Sequence, residues 1–184
     1  FTVLFLPKRI KIILTWHCDI HAYKFLYFFY KPLLKNLLKR VDHIIVATPK
    51  HISSSDILNN IEYKHKISII PYSIDVKYFN NKIFHKPAKL IKDRFKNKII
   101  IFTLSRHVYY KGIRFLIDAM KEINNAMLLI GGNGPDTNKL KNYIAEKNLN
   151  EKIIFTGYIS QNKLPSYYHA ADIFCLPSIE NSEA

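Results

Sequence analysis

A repeated succession of short apolar run, polar turn and helical pattern constrains the fold of this chain more than any other feature. It is clearest in residues 98–112, which read KIIIFTLSRHVYYKG. The first half of this stretch is a nearly continuous apolar run, which is typical of a strand buried on both faces of a parallel sheet. Because strand and helix alternate along the chain with short connections, the sequence predicts an α/β fold of two doubly wound units, each with a mainly parallel sheet.

The two predicted units are separated by a stretch in which this pattern loosens. Residues 76–97 contain an Asn-Asn pair, a proline and many lysines, and we interpret them as a linker with one short helix at residues 90–95. The first unit then covers residues 1–75 and the second covers residues 98–184. The predicted strands are residues 11–16, 42–48, 66–70, 99–104, 126–130, 152–155 and 172–176.

A long helix is predicted over residues 22–41, with a kink or a restart at Pro32. One stripe of this helix carries lysines, and the other side is apolar and rich in aromatic residues. Two interpretations stay open: a core helix with a solvated lysine face, or a helix that docks on an anionic membrane surface, where each basic residue adds ~1 kcal/mol. The polar run 53–56 predicts the cap of a second, short helix over residues 57–61.

Two basic side chains, Arg106 and Lys111, follow the predicted strand 99–104. In open α/β sheets, ligands bind beyond the carboxyl ends of the strands. Arg offers a rigid fork of donors to phosphate oxygens, Lys adds a compact charge, and the positive end of the next helix faces the same place. These features predict a diphosphate site. The alternative is that both residues are ordinary solvated surface cations.

Two further turns follow predicted strands. His17 comes directly after strand 11–16, where an imidazole either contacts a substrate or has a structural role. The turn at residues 131–135, GGNGP, contains three glycines that permit close backbone approach. It is not the G-x-G-x-x-G fingerprint of dinucleotide-binding proteins, so NAD binding gains no support.

Composition narrows the classes of partner and compartment. The chain of 184 residues has 28 basic and 14 acidic residues and a net charge of +14. This balance favours anionic partners, whether nucleic acid, anionic lipid or phosphorylated small molecules, although a bias toward Lys, Ile and Asn also produces it. Cys18 and Cys175 lie in apolar surroundings, which indicates buried thiols in a reduced compartment. No apolar run approaches the ~20 residues of a membrane span, and no secretory signal is apparent.

Six stretches, taken together and in this order, resemble the retaining glycosyltransferases of family 4, which have the GT-B fold. They are residues 14–20, LTWHCDI; 70–75, IPYSID; 104–112, LSRHVYYKG; 128–135, LLIGGNGP; 153–160, IIFTGYIS; and 167–184, YYHAADIFCLPSIENSEA. The resemblance implies two Rossmann-like domains, both incomplete here. In the family, the carboxyl-side domain binds a nucleotide-sugar and the amino-side domain mainly binds the acceptor.

The resemblance also implies roles for single residues. Arg106 and Lys111 match the basic pair on the donor diphosphate, and His17 matches a histidine that faces the reacting sugar. These three are the expected catalytic residues, and no metal is expected. The residues expected to bind the donor in addition are Gly132 and Gly134 of a G-D-G-P turn, Tyr158 and Ile159 at the nucleobase, and Glu183, the first acid of an E-x7-E motif.

Two departures from the family pattern are visible. Asn133 stands where the glycine turn usually has an acid, and Tyr72-Ser73 stands where the family commonly has Asn-Gly. The second departure changes the backbone freedom of that turn, because Gly tolerates positive φ and Ser does not.

The resemblance therefore implies a metal-independent glycosyltransferase with no bound cofactor. It would move a sugar from a UDP- or GDP-sugar to a glycan or a lipid-linked acceptor with retention, in polysaccharide biosynthesis. We expect a cytoplasmic protein, peripheral on the inner face of the membrane, that does not bind nucleic acid. We also expect this piece to be inactive by itself. Two alternatives stay open: a basic nucleic-acid-binding module, and a catalytically inactive relative that keeps the fold.

Overall fold

The computed structural model describes residues 2–17 and 24–179, which form two units. The first unit ends at Ile74 and the second begins at Asp75. Both are built from parallel strands whose connections contain helices, as the alternating pattern predicts. The α/β class with parallel sheets is therefore confirmed.

The first unit has a three-stranded parallel sheet in the order β1-β2-β3. After a short 3-10 turn, Thr2–Phe5, its elements are β1 (Ile13–Trp16), α1 (Lys24–Arg40), β2 (His43–Val46), α2 (Pro49–Ser53), α3 (Ile61–Lys64) and β3 (Ile67–Ile69). Leu34 and Leu38 of α1 pack with Ile44 and Val46 of β2 in one buried cluster. The predicted long helix is a single helix that continues through Pro32.

The second unit has a four-stranded parallel sheet in the order β6-β5-β4-β7. Its elements are α4 (Val76–Phe79), a 3-10 turn (Lys82–Phe84), α5 (His85–Asp93), β4 (Ile99–Leu104), a 3-10 turn (Tyr109–Lys111), α6 (Ile113–Ala119), β5 (Ala126–Gly131), α7 (Thr137–Glu146), β6 (Ile153–Gly157), α8 (Leu164–Ala170) and β7 (Ile173–Phe174). Residues 76–97, interpreted above as a linker, thus contain two helices and lie within this unit.

The two central strands of the second unit are apolar on both faces, because each face covers a separate core. Alternate residues of β4 and β5, such as Ile101 and Leu128, join α6 and α7 in one cluster. The intervening residues, such as Phe102 and Leu129, join Tyr167 and Tyr168 of α8 in another. Since side chains alternate across a strand, one apolar run fills both cores and carries no polar face.

The prediction of a helix over residues 57–61 is wrong. Helix formation begins earlier, at α2, because the Thr48 hydroxyl accepts from the His51 N–H and Pro49 opens the first turn. Ser55 then accepts from the N–H groups of Ile57 and Leu58 at 3.3 and 3.1 Å. These bonds close a turn, which is the local structure that a serine side chain offers as an alternative to a helix.

Candidate functional site

The carboxyl ends of three strands lie side by side in the second unit. Leu104 at the end of β4 pairs with Gly131 at the end of β5, and Gly131 pairs with Gly157 at the end of β6. A register shift after Ile130 produces the second pairing. The loops that leave these strands therefore start at one edge of the sheet, which is where ligands bind in open α/β sheets.

The loop after β4, residues 105–112, carries both predicted cations. Arg106 is exposed and Lys111 is half-buried, with its Nζ atom 5.7 Å from the centre of the Tyr110 ring. Lys111 ends a 3-10 turn, and Gly112 follows with φ +67°. A Cβ atom on Gly112 would lie 1.9 Å from the Pro177 carbonyl oxygen, so only glycine fits where this loop turns into α6.

The turn after β5 touches the cation-bearing loop through backbone atoms. Gly132 has φ +98°, and a Cβ atom there would lie 2.1 Å from the Ser105 carbonyl oxygen. On Gly134, a Cβ atom would lie 2.5 Å from the His107 carbonyl oxygen. The glycines expected at the donor site thus stand directly against the loop of Arg106 and leave no room for a side chain between the two.

His107 is a buried polar residue at this junction that the sequence patterns did not identify. Its side chain is fully buried, whereas its neighbour Arg106 is exposed. The ring nitrogens lie 3.2 Å from the Gly131 carbonyl oxygen and 2.8 Å from the Thr137 hydroxyl. Burial lowers the pKa of His107 below its usual value, because a charged ring would lose its hydration. The positive charge of nearby Lys141 also lowers this pKa, whereas the negative charge of Asp136 raises it.

The turn after β6 holds the two residues expected near a nucleobase. Tyr158 is 79% exposed, so most of its side chain does not pack against the core. Ile159 is half-buried and packs on the cluster that contains Phe102 and Leu129. Ile159 therefore anchors this turn to the core, and Tyr158 lies beside it at the carboxyl edge of the sheet.

The first unit carries its own polar pair at the carboxyl edge of its sheet. His17 follows β1 and Tyr72 lies three residues after β3. The two rings stack with centroids 5.7 Å apart and planes 15° from parallel. The Tyr72 hydroxyl is hydrogen-bonded to Nδ1 of His17, although Tyr72 is 63% exposed. The residue that departs from the common Asn-Gly turn is thus the one that contacts His17.

Some predictions fall outside these sites or outside the described residues. Glu183 and Cys18 lie outside the described residues, whereas Cys175 is half-buried with a free thiol. Within residues 2–17 and 24–179, no group of three His, Cys, Asp or Glu residues is arranged to hold a metal ion. No helix in that part of the chain has both the length and the apolarity needed to cross a membrane.

A separate hollow of about 750 Å³ lies between α6 and α7. Its lining includes Tyr109, Phe115 and Tyr143. It borders the cation-bearing loop only through Val108 and Tyr109 and includes neither Arg106 nor Lys111. We therefore place the candidate site at the strand ends, where the loop that carries the cations contacts the glycine turn, and not in this hollow.

The chain is similar in sequence to known glycosyltransferases. The family model described as Glycosyl transferases group 1 matches residues 86–184. The O-antigen chain mannosyltransferase C of Escherichia coli is 27% identical over 177 residues, which cover 95% of this chain and 45% of that protein. The D-rhamnosyltransferase WbpZ of Pseudomonas aeruginosa is 27% identical, with 94% and 44% covered. The chain thus spans less than half the length of these relatives.

Solved structures show the same fold. Anabaena HepE, crystallised in complex with UDP, superposes with a TM-score of 0.78 at 14% identity, over 95% of this chain and 48% of that one. The sucrose-phosphate synthase of Thermosynechococcus elongatus gives a TM-score of 0.70 at 22% identity, over 90% and 44%. The expected GT-B type of fold is therefore confirmed.

Proposed function

Because the chain belongs to the Glycosyl transferases group 1 family, we propose that the protein transfers a sugar from a UDP- or GDP-sugar to a glycan or a lipid-linked acceptor. The observation that carries this proposal is the contact between two loops at the edge of the second sheet. One loop bears Arg106 and Lys111, and the other is a glycine turn that stands against it at Gly132 and Gly134. A donor diphosphate fits a cation-bearing loop held in this way, because guanidinium and ammonium groups donate to phosphate oxygens.

The cations act most strongly on the leaving group. When the bond between the sugar and the nucleoside diphosphate breaks, negative charge develops on the departing phosphate. Fixed charges from Arg106 and Lys111 stabilise that state more than the intact donor, and this difference is what raises the rate. Since these two side chains supply the positive charge, we propose that the reaction needs no metal ion. Full turnover in EDTA is the expected result.

The remaining donor contacts follow the family pattern. The backbone at Tyr158 and Ile159 contacts the nucleobase, and Glu183 binds hydroxyl groups of the donor sugar. Relatives and neighbours of known activity support the donor class: Anabaena HepE has been crystallised with UDP-glucose, and the Escherichia coli relative is a mannosyltransferase.

On the acceptor side, we propose that His17 faces the reacting sugar and that transfer proceeds with retention. Attack from the same face as the departing phosphate allows that phosphate to take the acceptor proton, so the protein need not supply a nucleophile. The stacked Tyr72 ring and its hydrogen bond to Nδ1 of His17 restrict the imidazole to one orientation. Proton NMR of the anomeric product tests retention.

We further propose that α1 binds an anionic membrane surface from the cytoplasmic side. Phe28 and Phe29 are 75% and 61% exposed, and Lys31 and Lys35 are exposed on the same helix. Exposed aromatic rings beside basic residues suit the interface of an anionic bilayer. Sedimentation with vesicles containing anionic lipid should recover the full-length protein, and Phe28→Ser with Phe29→Ser should reduce that recovery; equal recovery would contradict this assignment.

Sugar transfer by the full-length protein tests the central proposal. A panel of radiolabelled UDP- and GDP-sugars identifies the donor, and the double variant Arg106→Ala, Lys111→Ala is then compared with the wild type. Losing even one such donor typically costs on the order of 10²–10³ in rate. The matched control is Arg94→Ala with Lys96→Ala, which removes the same charge from exposed residues before the amino end of β4. Equal rates in the two double variants would refute the role of Arg106 and Lys111. No transfer from any donor, together with strongly salt-dependent binding of nucleic acid, would favour the basic nucleic-acid-binding alternative.

A further inference from the structure

His107 connects three elements of the donor edge although its side chain is fully buried. It follows Arg106 in the loop after β4, and its ring lies between the end of β5 and the start of α7. A buried imidazole needs hydrogen-bond partners, because an unpaired polar atom away from water is costly. Here each polar atom of the residue has one within hydrogen-bonding distance.

The partners of the ring fix its tautomer. A carbonyl oxygen only accepts, so Nε2 carries the ring hydrogen and donates to Gly131 at 3.2 Å. In the neutral ring Nδ1 has no hydrogen, so it accepts from the Thr137 hydroxyl at 2.8 Å. The single hydrogen of that hydroxyl is shared with a second acceptor, the Gly134 carbonyl oxygen, which also lies at 2.8 Å. Desolvation by burial favours this uncharged form. The imidazole therefore joins the last residue of β5 to the first residue of α7.

The backbone of the same residue holds the middle of the glycine turn. The His107 N–H donates to the Asn133 carbonyl oxygen at 3.0 Å, and the Asp136 N–H donates to the His107 carbonyl oxygen at 3.1 Å. The Gly134 N–H donates to the Thr137 hydroxyl oxygen at 3.0 Å. The turn is thus attached to His107 from its start at Gly131 to its end at Thr137.

We propose that His107 is a positioning residue of the donor site, which sets the glycine turn relative to Arg106 through its bonds to Gly131 and Thr137. This inference rests on the proposed function, because it assumes that a nucleoside diphosphate binds between the two loops. Losing the ring contacts frees the turn to shift by a few tenths of an ångström. The loop that carries Arg106 then shifts relative to the glycine turn, and the diphosphate meets Arg106 in a poorer geometry.

Substitutions at both ends of the side-chain bond test the proposal in the full-length protein. His107→Leu removes both ring contacts and keeps an apolar filling beside Phe155, whose ring centroid lies 5.5 Å away. Thr137→Val removes the hydroxyl alone, and Thr137→Ser retains it. The control is Ile144→Val, which trims a buried residue of α7 in the core without touching either loop. The measurement is the Kd for UDP and GDP by titration calorimetry, beside the midpoint of thermal unfolding.

We expect His107→Leu and Thr137→Val each to weaken nucleotide binding roughly ten-fold, as the loss of one or two neutral hydrogen bonds does. The serine variant should bind like the wild type. The double variant should bind better than the sum of the two single losses predicts, since both variants remove the bond between the ring and the hydroxyl, and Thr137→Val also removes the bond from the Gly134 N–H. The KM for the donor should rise while the KM for the acceptor stays unchanged.

Nucleotide binding within two-fold of the wild type in Thr137→Val or His107→Leu, with thermal destabilisation like that of Ile144→Val, would show that the ring is only a packing element. If His107→Leu does not fold, the threonine pair decides. A wild type that binds neither UDP nor GDP overturns the proposed function itself, which is a different result from a wild type that binds and variants that bind equally.

Discussion

The carboxyl edges of the two sheets are constructed differently, although both follow parallel strands. In the first unit the edge carries two exposed rings, His17 and Tyr72, joined by one side-chain hydrogen bond. In the second unit the edge consists of loops in backbone contact, with Gly132 and Gly134 against residues 105–107. Below those loops lies His107, a fully buried histidine whose ring nitrogens both have partners. The first unit also buries a histidine, His51 of α2, but its Nδ1 atom has no hydrogen-bond partner among the described residues.

This difference teaches how each edge keeps its shape. Backbone contacts at the second edge leave no space for one additional carbon atom, so its geometry is preorganised before any ligand binds. The first edge depends on a contact that a single hydroxyl provides. The rigid construction of the second edge suits a diphosphate, which is the same in every donor. The less constrained construction of the first edge suits acceptors that vary.

Both units have the same hydrogen-bonding arrangement at the amino ends of their strands. Asp42 accepts from the Ile12 N–H, and Asp172 accepts from the Ile100 N–H, each at 2.9 Å. Each carboxylate also pairs with a lysine, Lys11 or Lys92, and these bonds lower the pKa of both carboxyl groups. The two units therefore agree at their amino edges and differ where the ligands are expected.

The largest expected effect comes from filling the second edge. Gly132→Ala places a Cβ atom 2.1 Å from a backbone oxygen at φ +98°, so we expect a loss of about 3 kcal/mol or more in the free energy of unfolding. Gly157→Ala is the control, since φ is +69° but no atom lies within 4 Å; it should cost about 1 kcal/mol. Urea unfolding of both variants measures the difference. Equal losses in the free energy of unfolding would mean that the close approach of the loops does not limit which residue position 132 can hold.

A smaller effect is expected at the first edge, and on activity alone. Tyr72→Phe keeps the stacked ring but removes the hydroxyl that bonds to His17, so turnover should fall roughly ten-fold while unfolding is unchanged. Tyr78→Phe, in the second unit, is the matched control. Nucleotide affinity should stay the same in both variants. Undiminished turnover in Tyr72→Phe would show that the first edge does not depend on this hydrogen bond, so the proposed difference between the two edges would fail.

The smallest effect is a pH dependence that belongs to the second edge. The folded state lowers the pKa of His107 through burial, so below pH ~6.5 the unfolded chain binds a proton more readily than the folded one. Stability from this residue is complete above that pH and falls as the pH decreases toward the folded pKa. Between pH 7.5 and 5.5 the wild type should lose up to about 1.4 kcal/mol more than His107→Leu. Equal losses in urea titrations at the two pH values would contradict a buried neutral ring.

The sequence predicted much of the second unit because its signals are local. An apolar run that fills two cores has no polar face, so β4 and β5 were recognisable, and the loop of Arg106 and Lys111 followed from where β4 ends. The glycines of the turn were visible as a cluster. The contact of these glycines with residues 105–107 could not be predicted, because it depends on the order and register of the strands.

The missed features are those that depend on distant residues. His107 was overlooked because its partners, Gly131 and Thr137, lie 24 and 30 positions away. The pairing of His17 with Tyr72 spans 55 positions. Ser55 misled the helix prediction, because a serine that caps a turn and one that caps a helix have the same sequence pattern.

One binding measurement tests the account most directly. Calorimetric titration of the full-length protein with UDP and GDP should give a measurable Kd for one of them. That affinity should be lost in Arg106→Ala with Lys111→Ala and retained in Arg94→Ala with Lys96→Ala. If both double variants bind the nucleotide equally well, Arg106 and Lys111 do not bind the donor, and the positive charge that matters is not at the carboxyl edge of the second sheet.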